Sequence, residues 1–152
     1  MPIQYISGDL TESQADIIFH GCNCYCVMGS GIARALRAKW SEVFEADLQT
    51  KPGDRTKMGT FSIATIPGTK TQVLNMYTQF KFGGLNGPDI DYTAVRSCMD
   101  ILRDYLSVCD PEGTMTVAGP RIGAGLAGGD WKIIASIIES TFPDREIRIY
   151  TI

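Results

Sequence analysis

Apolar residues along this chain fall into short runs and longer periodic stretches, and the two kinds alternate. Ile3–Ser7 and the apolar run Ile17–Cys22 have strand length. Gly31–Lys39 places Ile32, Leu36 and Trp40 near helical spacing. Residues 41–49 put Phe44 and Leu48 on one helical face, with Ser41 as the expected N-cap. Residues 61–66 and 72–77 read as two strands joined through Pro67-Gly68-Thr69, which predicts a hairpin. The clearest helix covers 91–108, where Val95, Met99, Leu102 and Leu106 recur every three or four residues. After a break at Pro111-Glu112-Gly113 come a short buried strand at 115–118 and a helix at 131–142. That helix is opened by Asp130 and closed by Pro143. A last strand spans 146–151, with Ile147 and Ile149 alternating against Arg148 and Tyr150.

Strands alternating with helices predict a three-layer α/β/α sandwich. The hairpin makes its central sheet mixed, and residues 1–152 form one domain. In such folds ligands bind beyond the carboxyl ends of the strands. Two strand-to-helix loops stand out there. The first is His20-Gly-Cys22-Asn23-Cys-Tyr-Cys-Val-Met28-Gly29-Ser30-Gly31. Its glycines let backbone approach a ligand, its helix start offers N–H groups, and Asn23 carries both donors and acceptors. The second is Pro120-Arg121-Ile122-Gly123-Ala124-Gly125-Leu126-Ala127-Gly128-Gly129-Asp130. Four glycines in seven residues read as an anion cradle rather than as packing. It matches neither a P-loop nor a dinucleotide-binding fingerprint.

The 152 residues are 44% hydrophobic and 20% charged, with a net charge of −3. That balance argues against a nucleic-acid surface but leaves room for an anionic ligand held by backbone amides. An odd count of five cysteines, with neither a leading apolar segment nor a membrane-length run, predicts a reducing, cytoplasmic setting and no membrane contact. Cys22, Cys24 and Cys26 are each one residue apart, too close for a zinc motif, so no metal and no cofactor are expected. They read as buried small hydrophobes, with a nucleophilic role for one of them as the alternative. His20, the lone histidine, abuts the first loop. It is either a satisfied structural residue or the proton carrier of a reaction.

Gly8-Asp9-Leu10-Thr11, His20-Gly-Cys-Asn23-Cys and Met28-Gly-Ser-Gly-Ile32-Ala33 together resemble the opening of a macrodomain. Pro120-Arg-Ile-Gly-Ala-Gly-Leu-Ala-Gly-Gly-Asp-Trp131 and the ending Ile147-Arg-Ile-Tyr-Thr-Ile152 extend the resemblance over essentially the whole chain. It is greatest to the branch that contains ADP-ribose-1″-phosphate phosphatases and terminal ADP-ribose protein glycohydrolases. The resemblance implies that Asp9 accepts from the adenine amino group, with Tyr150 near the adenine. It implies that Asn23 meets the distal ribose and that Gly29, Ser30, Gly31 and Ile32 line that ribose. Gly123, Ala124, Gly125, Leu126, Ala127 and Gly128 would hold the diphosphate, and Leu10, Cys22, Met28, Arg121 and Ile122 are expected among the ligand-binding residues.

The glycohydrolase pattern has a Lys after its central strand and an Asp in its second loop. The matching positions here are Gln79 and Ala127. Losing that pair while keeping His20 favours a phosphatase-like hydrolase, with His20 and Asn23 as catalytic residues and a monomeric protein acting on ADP-ribose-1″-phosphate. The alternatives are an ADP-ribosyl hydrolase acting on an ADP-ribosylated macromolecule and a non-catalytic ADP-ribose reader.

Overall fold

The computed structural model describes residues 3–84, 88–125 and 127–151. Six strands, β1 Ile3–Ser7, β2 Ile17–Cys22, β3 Phe61–Thr65, β4 Gln72–Tyr77, β5 Val117–Gly119 and β6 Ile147–Thr151, form one sheet in the order β1-β6-β5-β2-β4-β3. All neighbours are parallel except β3 and β4, whose antiparallel pairing makes the sheet mixed as expected. Four helices flank it: α1 Gly31–Lys39, α2 Ser41–Leu48, α3 Tyr92–Cys109 and α4 Trp131–Thr141.

Alternation along the strands assigns the layers. Ile17, Phe19, Leu74 and Met76 pack with Val95, Met99, Leu102 and Leu106 of α3 and Ile134 and Ile138 of α4. Ile18, Cys22, Val73 and Tyr77 face the other way, onto Leu36 of α1 and Val43 of α2. The result is the three-layer sandwich.

Local chemistry sets the ends. Asp91 and Asp130 cap α3 and α4 by accepting from Ala94 N and Lys132 N. Ser41 is not a cap. Trp40, extended at φ −134° and ψ 107°, closes α1 and opens α2 at once, so Ser41 lies one residue inside the helix. Two short 3₁₀ turns, Leu10–Glu12 and Arg55–Lys57, were not foreseen. Each starts on an Asp whose carboxylate accepts from the backbone of a Thr two residues on.

Because β1, β6, β5, β2 and β4 run parallel, their carboxyl ends lie along one edge. The segments after β2, β4 and β5 meet there.

Candidate functional site

These segments enclose a cavity of about 700 Å³. From the first loop it is lined by Cys22, Asn23, Gly29, Ser30, Gly31 and Ile32. From the second it is lined by Arg121, Ile122, Gly123, Gly125 and Ala127. The two glycine-rich loops that the sequence singled out therefore form facing walls.

The first loop is tied down from within and from below. Asn23 Oδ1 accepts from Tyr25 N at 2.8 Å, and its Nδ2 donates to Val27 O at 2.9 Å. One lone pair and one N–H of the amide remain for a ligand. Cys26 holds a left-handed φ of 59°, and its thiol donates to Asp47 O at 3.2 Å. Lys57, buried under the loop, donates from Nζ to Cys24 O at 3.0 Å. The three clustered thiols point to different partners: Cys22 Sγ lies against the His20 ring, Cys24 Sγ donates to Gln79 O, and Cys26 Sγ turns to Asp47 O. Burial pushes the Cys22 thiol well above its usual range, which disfavours the thiolate.

The glycines divide into two kinds. A Cβ on Gly29, Gly31 or Gly125 would meet no atom within 4 Å, so their missing side chains leave the cavity open. Ser30 makes no side-chain cap bond at the start of α1, and Gly31, Ile32 and Ala33 of its first turn line the cavity. Gly123 and Gly129 are different. Gly123 has φ 72° and a Cβ there would lie 2.5 Å from Ile90 Cδ1, while one on Gly129 would lie 2.6 Å from Gly123 O. Packing, set aside in reading this loop as an anion cradle, thus accounts for two of the four. Ala124, Gly128 and Gly129 spend their N–H groups on the loop's own carbonyls.

His20 is not at the cavity. Residues 18, 20 and 22 share one face of β2, and that face packs under α1 and α2. The ring is fully buried, and Nε2 lies 2.6 Å from Asn75 Oδ1. Burial lowers its pKa to about 4. Of the two sequence readings of His20, its surroundings fit the satisfied structural residue: the strand's period of two turns its ring into the core, away from the cavity lining.

Other expected ligand residues lie outside the cavity wall. Leu10 and Met28 are in the core. Asp9 caps its 3₁₀ turn, with Oδ1 accepting from Thr11 Oγ1 at 2.8 Å and Thr11 N at 2.9 Å. The Thr11 hydroxyl bond is the main reason its carboxyl sits below the usual range. Tyr150 lies beside Gly8, next to Asp9, on the β1–β6 side of the opening. Ala124 and Gly128 shape the second loop without lining the cavity. Leu126 lies outside the described residues.

Sequence reasoning missed the third wall. Gln79, Phe82, Gly83 and Asp89 line the cavity from the segment after β4. The available signal was position: this segment also leaves the carboxyl end of a parallel strand and also leads into a helix.

A mixed sheet between two helical layers, with two glycine-rich loops facing each other over its carboxyl edge, defines a ligand-binding α/β domain. The chain belongs to the Macro domain family, which matches residues 19–138. It is 37% identical to a 17.5 kDa protein of the tk–vs intergenic region of Enterobacteria phage T4, over 98% of this chain and 96% of that protein. It is 29% identical to an ADP-ribose glycohydrolase of Bos taurus, over 97% of this chain and 88% of that one. A solved structure from Bacteroides thetaiotaomicron superposes with a TM-score of 0.85 at 31% identity, covering 100% of this chain and 99% of the other.

Proposed function

We propose that this protein binds ADP-ribose in the cavity and hydrolyses a derivative carried on the distal ribose, releasing ADP-ribose. The observation that carries this reading is the cradle of Gly29, Gly31 and Gly125, where the absence of Cβ atoms leaves room between two loops beside an uncapped helix start. Backbone amides at such a place suit a diphosphate and require no excess of positive charge. The kinship with a glycohydrolase supports the same ligand and a hydrolytic outcome.

Asn23, at the cavity wall with half its hydrogen-bonding capacity uncommitted, orients the distal ribose or the attacking water. Asp9 and Tyr150 form the adenine end. The phosphatase assignment depended on His20 as proton carrier. With His20 in the core, a phosphate ester has no advantage over a glycosidic or acyl bond.

The experiment is to incubate pure protein with ADP-ribose-1″-phosphate, with mono-ADP-ribosylated protein and with ADP-ribosylated nucleic acid, and to follow release of ADP-ribose. Turnover of one of the three identifies the bond. Tight ADP-ribose binding with no turnover of any of them refutes hydrolysis and leaves a reader.

A further inference from the structure

Among the described residues, two charged residues line the cavity, Arg121 and Asp89, and the Arg121 guanidinium is turned to the Tyr5 and Trp131 rings, 5.5 and 5.8 Å from their centroids. Arg121 follows β5 and Asp89 follows β4, strands that flank β2 on opposite sides. Asp89 is only 8% exposed. Its Oδ2 accepts from Gly84 N at 2.9 Å, and its own N–H donates to Ala127 O at 2.9 Å, so it is fixed between the segment after β4 and the second glycine loop. Its Oδ1 is shielded from solvent and has no partner among the described residues. A shielded carboxylate oxygen with no donor is unfavourable in a folded protein and calls for an explanation at a ligand site.

We propose that Asp89 is a specificity-determining residue that accepts a hydrogen bond from a ligand hydroxyl, so that the group held at the β4 side of the cavity is an uncharged, hydroxyl-bearing sugar and not a phosphate monoester. This rests on the ADP-ribose reading above. A ligand hydroxyl seated against Asp89, where it lines the cavity, supplies a donor to this carboxylate. A phosphate monoester has little proton to offer near neutral pH and would bring a second negative charge against a carboxylate in a partly water-excluded site, where like charges repel strongly. The ligand is thereby oriented: phosphates lie at the loop amides, and sugar hydroxyls lie at Asp89. Hydrolysis then concerns a glycosyl or acyl bond on that sugar, not a phosphate ester.

Calorimetric titration of the wild type, Asp89→Asn and Asp89→Ala with ADP, ADP-ribose and ADP-ribose-1″-phosphate tests this, with melting temperature checked for each variant. The wild type is expected to bind ADP-ribose about tenfold or more tighter than ADP, and to bind the 1″-phosphate about tenfold more weakly than ADP-ribose. Both variants bring ADP-ribose to within about threefold of ADP while leaving ADP itself within about twofold. Asp89→Asn narrows the discrimination against the 1″-phosphate. A wild type that does not distinguish ADP-ribose from ADP, or that takes the 1″-phosphate as readily as ADP-ribose, overturns the proposal without any variant. A folded variant with an unchanged ADP-ribose to ADP ratio overturns it while leaving the ADP-ribose reading intact. Failure of the wild type to bind either nucleotide sinks both.

Discussion

His20 donates from Nε2 to Asn75 Oδ1 across 2.6 Å, between register partners on adjacent strands β2 and β4. Asn75 Nδ2 goes on to Val43 O of α2 and Ser62 Oγ of β3, each at 3.0 Å. With both amide protons so used, Oδ1 must face the histidine, and the network assigns the ring proton to Nε2. The histidine thus ties a central strand to a helix and an edge strand, and it does so neutral.

This relationship predicts the pH dependence of stability. The folded-state pKa of His20 is about 4, against 6.5 for the ordinary side chain, because burial disfavours the charged ring. Between those values the unfolded chain binds the extra proton, so stability falls as pH drops from 6.5 towards 4, by roughly 3 kcal/mol in all. His20→Gln keeps a donor for Asn75. It should cost about 1–3 kcal/mol at neutral pH and should flatten that acid limb. Thermal melts of both proteins from pH 4 to pH 7 provide the test. Turnover per folded molecule should stay within a fewfold of the wild type, and a variant with intact stability and a thousandfold loss of activity would restore His20 to the chemistry.

The two kinds of glycine predict opposite phenotypes. Gly125 has an ordinary φ and open space above it, so Gly125→Val should melt like the wild type and lose ADP-ribose binding. Gly123→Val has to accommodate φ 72° and a contact 2.5 Å from Ile90 Cδ1, and should lower the melting temperature markedly. Equal behaviour of the two variants would mean that the second loop is only a connection.

Lys57 should be required for the shape of the first loop. Lys57→Met removes the donor to Cys24 O and the ammonium that holds down the pKa of buried Asp47, which burial raises. Because the folded-state pKa of Asp47 lies above its unfolded value, its ionisation costs stability as pH rises, and losing Lys57 enlarges that cost. The loss should be about 3 kcal/mol at neutral pH and should shrink as pH falls towards 4. ADP-ribose affinity should fall by roughly tenfold as the loop loosens. Denaturant melts at two pH values, with titration of the ligand, measure both effects.

At the adenine end, Asp9→Ala should weaken ADP-ribose binding by about tenfold and weaken a guanine analogue much less. Oδ1 is engaged with Thr11, so Oδ2 is the oxygen open to an amino group. Equal affinity of the wild-type protein for the adenine and guanine ligands would exclude the assignment.

Sequence by itself determined the elements, the layers and two of the three cavity walls. Apolar runs and apolar periodicity located all six strands and four helices: β2 and β5 are buried on both faces and leave continuous runs, whereas the helices bury one face and leave a repeat. The hairpin turn at Pro67-Gly68 forced one antiparallel pair. The glycine loops were legible because backbone that must lie close to a ligand leaves a compositional mark, as at Gly29, Gly31 and Gly125. Tertiary structure alone decided the rest. Whether His20 faces the cavity or the core depends on strand parity and on which layer covers that face, and its partner Asn75 is 55 residues away. Asp89 carried no local motif. It enters the site because the segment after β4 bonds to Ala127 of the second loop at the cavity wall. The roles of Gly123 and Gly129 depend on Ile90, a residue no local pattern connects to them. Periodicity is a short-range property of the chain, whereas burial, side-chain direction and charge pairing arise only when distant segments pack together.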